Sequence, residues 1–258
     1  MTVKKNFHSL ATVAAGRASR PAVTLLYARG FTLVELLVTV VIVAVLAGLG
    51  ASVYQGARVA ADRAKCASNM RQLGVGIISY AQENNGRMPA TQHLRSHGST
   101  DSWVFAMKDF FGGDIDEIRI SPADPIGPQR AQNNASSYIM NDFLDGAREG
   151  TDEYGRTRET NNTLNTIRDP SRTMMLFIIS DQKGPGSGND HIHGSGWMSW
   201  NRVLADIQPD RHRRGDANAN HTRGDANYLY VDGRVENIDA AEVKRRVDSG
   251  INIAEPPK

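Results

Sequence analysis

Cysteine is almost absent: Cys66 is the single one in 258 residues. No intramolecular disulfide can form, so the fold must rest on its core, on assembly or on a bound ion. An extracytoplasmic location stays open, because disulfides are permitted there rather than required. Acidic residues are missing from the first thirty positions, which carry Lys4, Lys5, Arg17, Arg20 and Arg29. That segment is +5 against a whole-chain +2, which leaves −3 for residues 31–258. The pI of 8.7 therefore reflects this N-terminal segment, and this distribution of charge argues against a nucleic-acid partner. Long apolar runs are missing after Tyr54, where the chain turns polar and rich in Gly and Asn. Also missing are Gly-x-Ser-x-Gly, a phosphate loop, and any Cys with a partner His, so nothing points to an enzyme. A 40% hydrophobic, 22% charged composition excludes disorder throughout and allows one large domain or two small ones.

What is present begins with residues 31–54, FTLVELLVTVVIVAVLAGLGASVY. At about 1.5 Å per residue they make a helix of about 36 Å, enough to cross a hydrocarbon layer of about 30 Å. Glu35 is its sole charge. A cleavable secretory signal would have a shorter apolar core followed by a small-residue cut site. A plain anchor explains the length and leaves Glu35 without a role, although a carboxylate near the membrane edge is costly unless paired or functional. The preceding basic residues fit a leader kept in the cytoplasm, with everything after Tyr54 translocated.

A third reading uses every part. Gly30-Phe31-Thr32-Leu33-Val34-Glu35-Leu36-Leu37 resembles the processing motif of type IV prepilins and type II secretion pseudopilins. The resemblance implies cleavage between Gly30 and Phe31 by a prepilin peptidase and N-methylation of Phe31. It further implies that Glu35 pairs with the N-terminal amine of a neighbouring subunit during assembly. Two opposite charges buried together in an apolar core cost far less than either alone.

After Tyr54 the pattern becomes amphipathic. Cys66, Met70, Leu73, Ile77 and Tyr80 or Ala81 recur at intervals of three and four, the spacing of one buried helix face. The helix is expected to run from about Phe31 to Glu83, with Asn84-Asn85-Gly86 ending it. Gly48, Gly50, Gly56, Gly74 and Gly76 weaken it by about 1 kcal/mol each relative to Ala, so they mark local unwinding or close packing. Cys66 reads as a core residue.

The rest of the chain lacks the helix–strand alternation of a parallel fold. Trp103–Met107 with Phe110 and Phe111 suggests a short helix, Ser137–Met140 a short strand, and Thr173–Ser180 a buried central strand. Asn227–Ile238 reads as a hairpin with a two-residue turn at Asp232-Gly233. Asp145–Thr166 and Gln182–Gly196 read as exposed loops. The expected fold class is α+β and pilin-like, a long N-terminal helix packed on a small antiparallel β-sheet head. Its divisions are a leader 1–30, a transmembrane segment 31–54, an amphipathic continuation 55–86 and a head 87–258.

The head carries a second resemblance, through Ser121-Pro122-Ala123-Asp124-Pro125, Ser137–Asn141, Pro170–Thr173 and Ala226–Val235. These runs look like the large pilin-like family common in planctomycetes, whose C-terminal signature is a His, nine residues, then Asp-Gly. Here ten residues separate His221 from Asp232-Gly233. The resemblance implies no biochemical activity for that head.

Other chemistry is thinner. Asp190, His191 and His193, with Asp216 and Asp225 further on, form a candidate metal set, calcium slightly ahead of zinc. Solvated loop residues are the plainer reading, and no cofactor is otherwise required. Arg211-His212-Arg213-Arg214 reads as a solvated basic turn, and Trp197 and Trp200 as core. The leading expectation is a structural subunit of a type IV pilus or type II secretion pseudopilus. It would sit in the bacterial inner membrane with an extracytoplasmic head, its partners being the peptidase, other subunits and the membrane. The rival is a membrane-tethered binding protein for a polysaccharide, peptide or metal ion, using the Asp190–Trp200 and Arg211–Asp225 segments.

Overall fold

A helix that is apolar all round and then apolar on one face must meet two different surroundings, and the chain is divided accordingly. A computed structural model describes residues 31–92, 102–112, 114–146 and 162–257. The leader with Gly30, and residues 147–161 of the expected charged loop, lie outside the described residues. The chain forms two compact units, residues 1–48 and 49–258.

Helix α1 spans Leu33–Glu83, beginning in the first unit and ending in the second. In the first unit, twelve large apolar side chains from Phe31 to Leu46 are all exposed. Burying each would release about 1.5–3 kcal/mol, so this surface calls for lipid or other helices around it. The helix is long and apolar enough to cross a membrane. In the second unit the expected stripe is fully buried: Cys66, Met70, Leu73, Ile77 and Ala81 each have zero exposure. The helix stops where Asn85 and Gly86 take left-handed φ values of 57° and 79°, and Gly86 N–H donates to Ala81 O at 2.7 Å.

The head is built on a four-stranded antiparallel sheet in sequence order, β1 Tyr138–Met140, β2 Met174–Ile178, β3 Asp225–Tyr230 and β4 Val235–Asp239. Strand β2 lies inside the sheet and is buried along its whole length, as a continuous apolar run requires. Short helices α2 Trp103–Ala106, α3 Ile115–Ile118, α4 Gly127–Gln132 and α5 Trp200–Asp206 fill the connections, and α6 Ala240–Asp248 follows the last strand. Trp197 and Trp200 are core residues. Tertiary bonds tie α1 to β3: Arg63 holds Asp225 through two nitrogens, and Asn227 Nδ2 donates to Arg63 O at 2.9 Å.

Three expectations need correction. The β3–β4 hairpin pairs Leu229 with Val235, and Tyr230 N–H donates to Arg234 O. Its loop is therefore three residues, Val231-Asp232-Gly233, with Gly233 at φ 86°. Val231 is drawn out of the β4 ladder because its N–H donates to Thr173 O at 3.0 Å, beside β2. Second, Gln182–Gly196 is only partly exposed. Met140 N–H donates to Asp190 O and Ile192 N–H to Met140 O, so this segment lies along β1 with Asp190, His191 and Ile192 buried. Third, Arg211 and His212 are buried: Arg211 Nη2 donates to Ile179 O at 2.7 Å, and His212 bridges Asp225.

Gly76 shows why a weak helix former sits in this helix. A Cβ there would lie 2.2 Å from Phe111 Cε1, inside the ring's contact distance. Gly76→Ala gains about 1 kcal/mol of helix propensity and loses roughly 1–3 kcal/mol to overpacking. The variant is expected to melt below the parent, Val75→Ala on the exposed face to melt near it, and Phe111→Leu to recover part of the Gly76→Ala loss. Thermal melts followed by circular dichroism check all three.

Candidate functional site

The chain carries a Thr-x-x-Glu sequence at the start of α1, and the backbone uses it. Thr32 N–H donates to Glu35 Oε2 at 2.9 Å, Thr32 Oγ1 donates to the same oxygen at 2.8 Å, and Glu35 N–H donates to Thr32 Oγ1 at 3.2 Å. This reciprocal arrangement is a capping box, in which two orphan amides at a helix start are satisfied by each other's side chains. Phe31 precedes it and is 71% exposed. Thr32 is the residue that the processing motif alone does not single out, although its spacing from Glu35 carries the signal. Phe31 and Glu35 thus stand together at the head of an exposed apolar helix, with the carboxylate held at the helix N-terminus, where negative charge is favoured.

In the head, the acids and histidines singled out by sequence are not gathered into one group. Among the described residues no three His, Cys, Asp or Glu side chains come together in a way that could hold a metal ion. Asp190 accepts from Gln92 N–H and Trp103 N–H, both at 3.0 Å, and its other oxygen lies 2.9 Å from His191 Nδ1. His193 belongs to a different carboxylate, Asp206. That buried acid accepts from His193 N–H at 2.8 Å and Trp197 Nε1 at 2.7 Å, with Lys183 Nζ at 3.0 Å. Burial alone would raise its pKa, but His193, Lys183 and Trp197 hold it well below the usual carboxylate range. Asp225 is taken up by Arg63 and by Asn237, and Asp216 is exposed.

The His221 and Asp232-Gly233 signature is split by β3. Asp232 and Gly233 form the hairpin tip, while His221, at φ 50°, places Nδ1 3.2 Å from buried Asp210 and 3.0 Å from Gln208 Nε2. Nothing local in the sequence signals the ion pair of Asp124 and Arg130, which is wholly buried at 2.9 Å. Ser137 Oγ donates to Asp124 at 2.6 Å, and Arg130 donates to Gly184 O and Lys183 O. Each of these groups ties loops together, and none presents a nucleophile with a base beside it.

Residues 26–51 match the family described as the prokaryotic N-terminal methylation motif. Over 132 residues the chain is 32% identical to the type II secretion system core protein G of Klebsiella pneumoniae, an alignment covering 49% of this chain and 92% of that protein. No solved structure matches the chain.

One buried group should mark the head's acid stability. Burial, with the guanidiniums of Arg63 and Arg211 beside it, pushes His212 down from 6.5 to about 4. Between those values the unfolded chain binds a proton that the folded chain does not, so stability falls as pH falls through that window. The loss from pH 7 to pH 4 should approach about 3 kcal/mol. The contribution of Asp206 has the opposite origin and is lost only below its ordinary value of 3.8, so the two windows separate. Melting the full chain in neutral detergent across this range should show the slope, and His212→Gln should flatten it between pH 6.5 and 4.

Proposed function

This chain belongs to the type II secretion pseudopilin family that core protein G represents, and from that premise we propose how its N-terminus serves assembly. It is a pilin-like structural subunit anchored in the inner membrane by its N-terminal apolar helix. The observation that carries the proposal is exposed Phe31 standing directly before the Thr32–Glu35 capping box, at the start of a helix whose apolar side chains are exposed from Leu33 to Leu46.

A prepilin peptidase cuts between Gly30 and Phe31, leaving the leader in the cytoplasm and the head outside the membrane. The new amine of Phe31, then methylated, becomes a cation one helical turn from Glu35. Within one subunit the capping box keeps the Glu35 carboxylate at the helix start. When helices pack into a filament, that carboxylate pairs with the amine of a neighbour, and the exposed apolar surface is buried between subunits. We assign the protein no catalytic role.

The rival reading, a tethered receptor using the Asp190–Trp200 segment, draws less support. Asp190, His191, Trp197 and Trp200 are all buried, and their polar atoms serve internal bonds.

Intact-mass and N-terminal peptide mass spectrometry on protein from native membranes tests the processing. The expected result is a chain that starts at Phe31 and is heavier by one methyl group. An uncut chain, or a cut beyond Tyr54, would reject it. Glu35→Val should lower filament yield on the order of a hundredfold, because an unpaired ammonium buried in apolar surroundings costs about 3–5 kcal/mol. The head's circular dichroism should be unchanged.

A further inference from the structure

A groove of about 560 Å³ lies in the head between Arg58–Asp62 of α1, the Pro122–Pro128 loop and Arg211–Gly215. The assembly role described above makes no use of it. Its charged lining consists of Arg58, Arg211 and Arg213 with the carboxylates Asp62 and Asp124. Asp124 is committed elsewhere, to Arg130, Ser137 and the Ile126 amide. Asp62 stands 3.9 Å from Arg58, a loose pair.

The three consecutive residues Arg211, His212 and Arg213 are unusual in what they leave unpaired. Asp181 engages Arg211 Nη1 at 2.7 Å, and Asp210 lies 3.4 Å from Arg213 Nη1. These contacts use terminal nitrogens and leave Arg211 Nε, Arg213 Nε and both ring nitrogens of His212 buried without a partner. A buried donor without an acceptor costs about 1–3 kcal/mol, so native structures keep few of them. Here they fall in one run of chain along the wall of one groove. The two Nε–H groups and the one N–H of the neutral His212 ring lack acceptors, and several anionic oxygens together are the chemistry of a phosphate.

The position of the groove along α1 selects the source of that phosphate. The apolar run ends at Tyr54, and an aromatic with a polar tip suits the membrane–water boundary. Arg58 is four residues further, about 6 Å along the helix axis, which is the depth of the headgroup layer. Arg214 joins it there, with Nη2 2.8 Å from where a Cβ of Gly56 would sit. Basic side chains clustered at that depth attract anionic lipid. We propose that this groove binds the phosphate of an anionic phospholipid headgroup, through Arg58, Arg211, His212 and Arg213. The proposal rests on membrane anchoring through residues 31–54 and is independent of cleavage and filament assembly.

The test uses the full chain purified in neutral detergent, titrated with phosphatidylglycerol, phosphatidylcholine or inorganic phosphate, with bound ligand counted by native mass spectrometry. Phosphatidylglycerol should bind about tenfold or more tighter than phosphatidylcholine. Arg58→Gln combined with Arg213→Gln should abolish that preference. Asp62→Asn removes the one loosely held carboxylate and should strengthen phosphatidylglycerol binding severalfold, a gain that misfolding could not produce. Equal retention of the two lipids, or a preference untouched by all these substitutions, would overturn the proposal. Inorganic phosphate displacing phosphatidylglycerol at equal concentration would also overturn it, by making the groove a free-phosphate site. Failure of cleavage at Phe31 with the lipid preference intact would count against the assembly role alone.

Discussion

Everything in the head depends on one face of α1 being closed against the sheet. Cys66, Met70, Leu73, Ile77 and Ala81 are all shut from solvent, and the glycines between them let the sheet and Phe111 come near the helix backbone. A Cβ on Gly74 would sit 3.0 Å from Leu229 of β3. Helix propensity is given up here for contact, because two glycines so close together cost about 2 kcal/mol and close packing must return more. Arg63 then fixes the register of helix on sheet: it donates to Asp225 with its side chain and receives Asn227 with its carbonyl. The same two strand residues that pair with β4 are thus also held by the helix.

The second constraint is the absence of disulfides. A head with four short strands and long connections would ordinarily be a candidate for covalent staples, and Cys66, alone and buried, supplies none. Buried carboxylates take their place. Asp190 gathers Gln92, Trp103 and His191; Asp206 gathers Lys183, His193 and Trp197; Asp124 gathers Ile126, Arg130 and Ser137. Each acid accepts from segments apart in sequence, so each closes a loop. Asn141 acts in the same way without charge, its Nδ2 donating to Met174 O and to Ala254 O, both at 2.7 Å. Removing one partner of such a hub leaves a buried charge with no compensating group, a loss of about 3–5 kcal/mol. Asp124, Ser137 and Asn141 are thus joints of the fold.

Features that obey a period are legible in the sequence, and features that depend on distant partners are not. The three-and-four spacing of α1, the unbroken apolar run of β2 and the Asp-Gly hairpin are local patterns, and each is present. The hairpin loop is one residue longer than its Asp-Gly pair implies because the deciding bond, from Val231 to Thr173, joins residues nearly sixty positions apart. Asp190, His191 and His193 read as one cluster because they are adjacent in sequence. In the fold they face two different acceptors, and the one that claims His193, Asp206, gives no sign of it locally. Arg211 and His212 read as solvated for the same reason, since basic residues in a row say nothing about the carbonyl of Ile179 that receives one of them. At the N-terminus the legibility is greater, yet Thr32 is easily hidden there: its role is spelled out by spacing, while the charge of Glu35 dominates the pattern.

The capping box also bears on the proposed assembly, in which Glu35 must stand ready for a new partner. An exposed cap of this kind is worth about 1 kcal/mol, so Glu35 is positioned and only weakly retained by Thr32. A carboxylate left free at a membrane-embedded helix start would be a standing cost; one fixed by a strong internal cation could not be given up to a neighbour. Two hydrogen bonds from a neutral threonine lie between these extremes. Because Thr32 Oγ1 also accepts from the Glu35 amide, the helix start would stay organised if the carboxylate changed partner, as the proposed assembly requires. Under the proposed assembly, Thr32 would set the threshold that a neighbouring amine must exceed, and apolar surface buried alongside the new pair would supply the remainder.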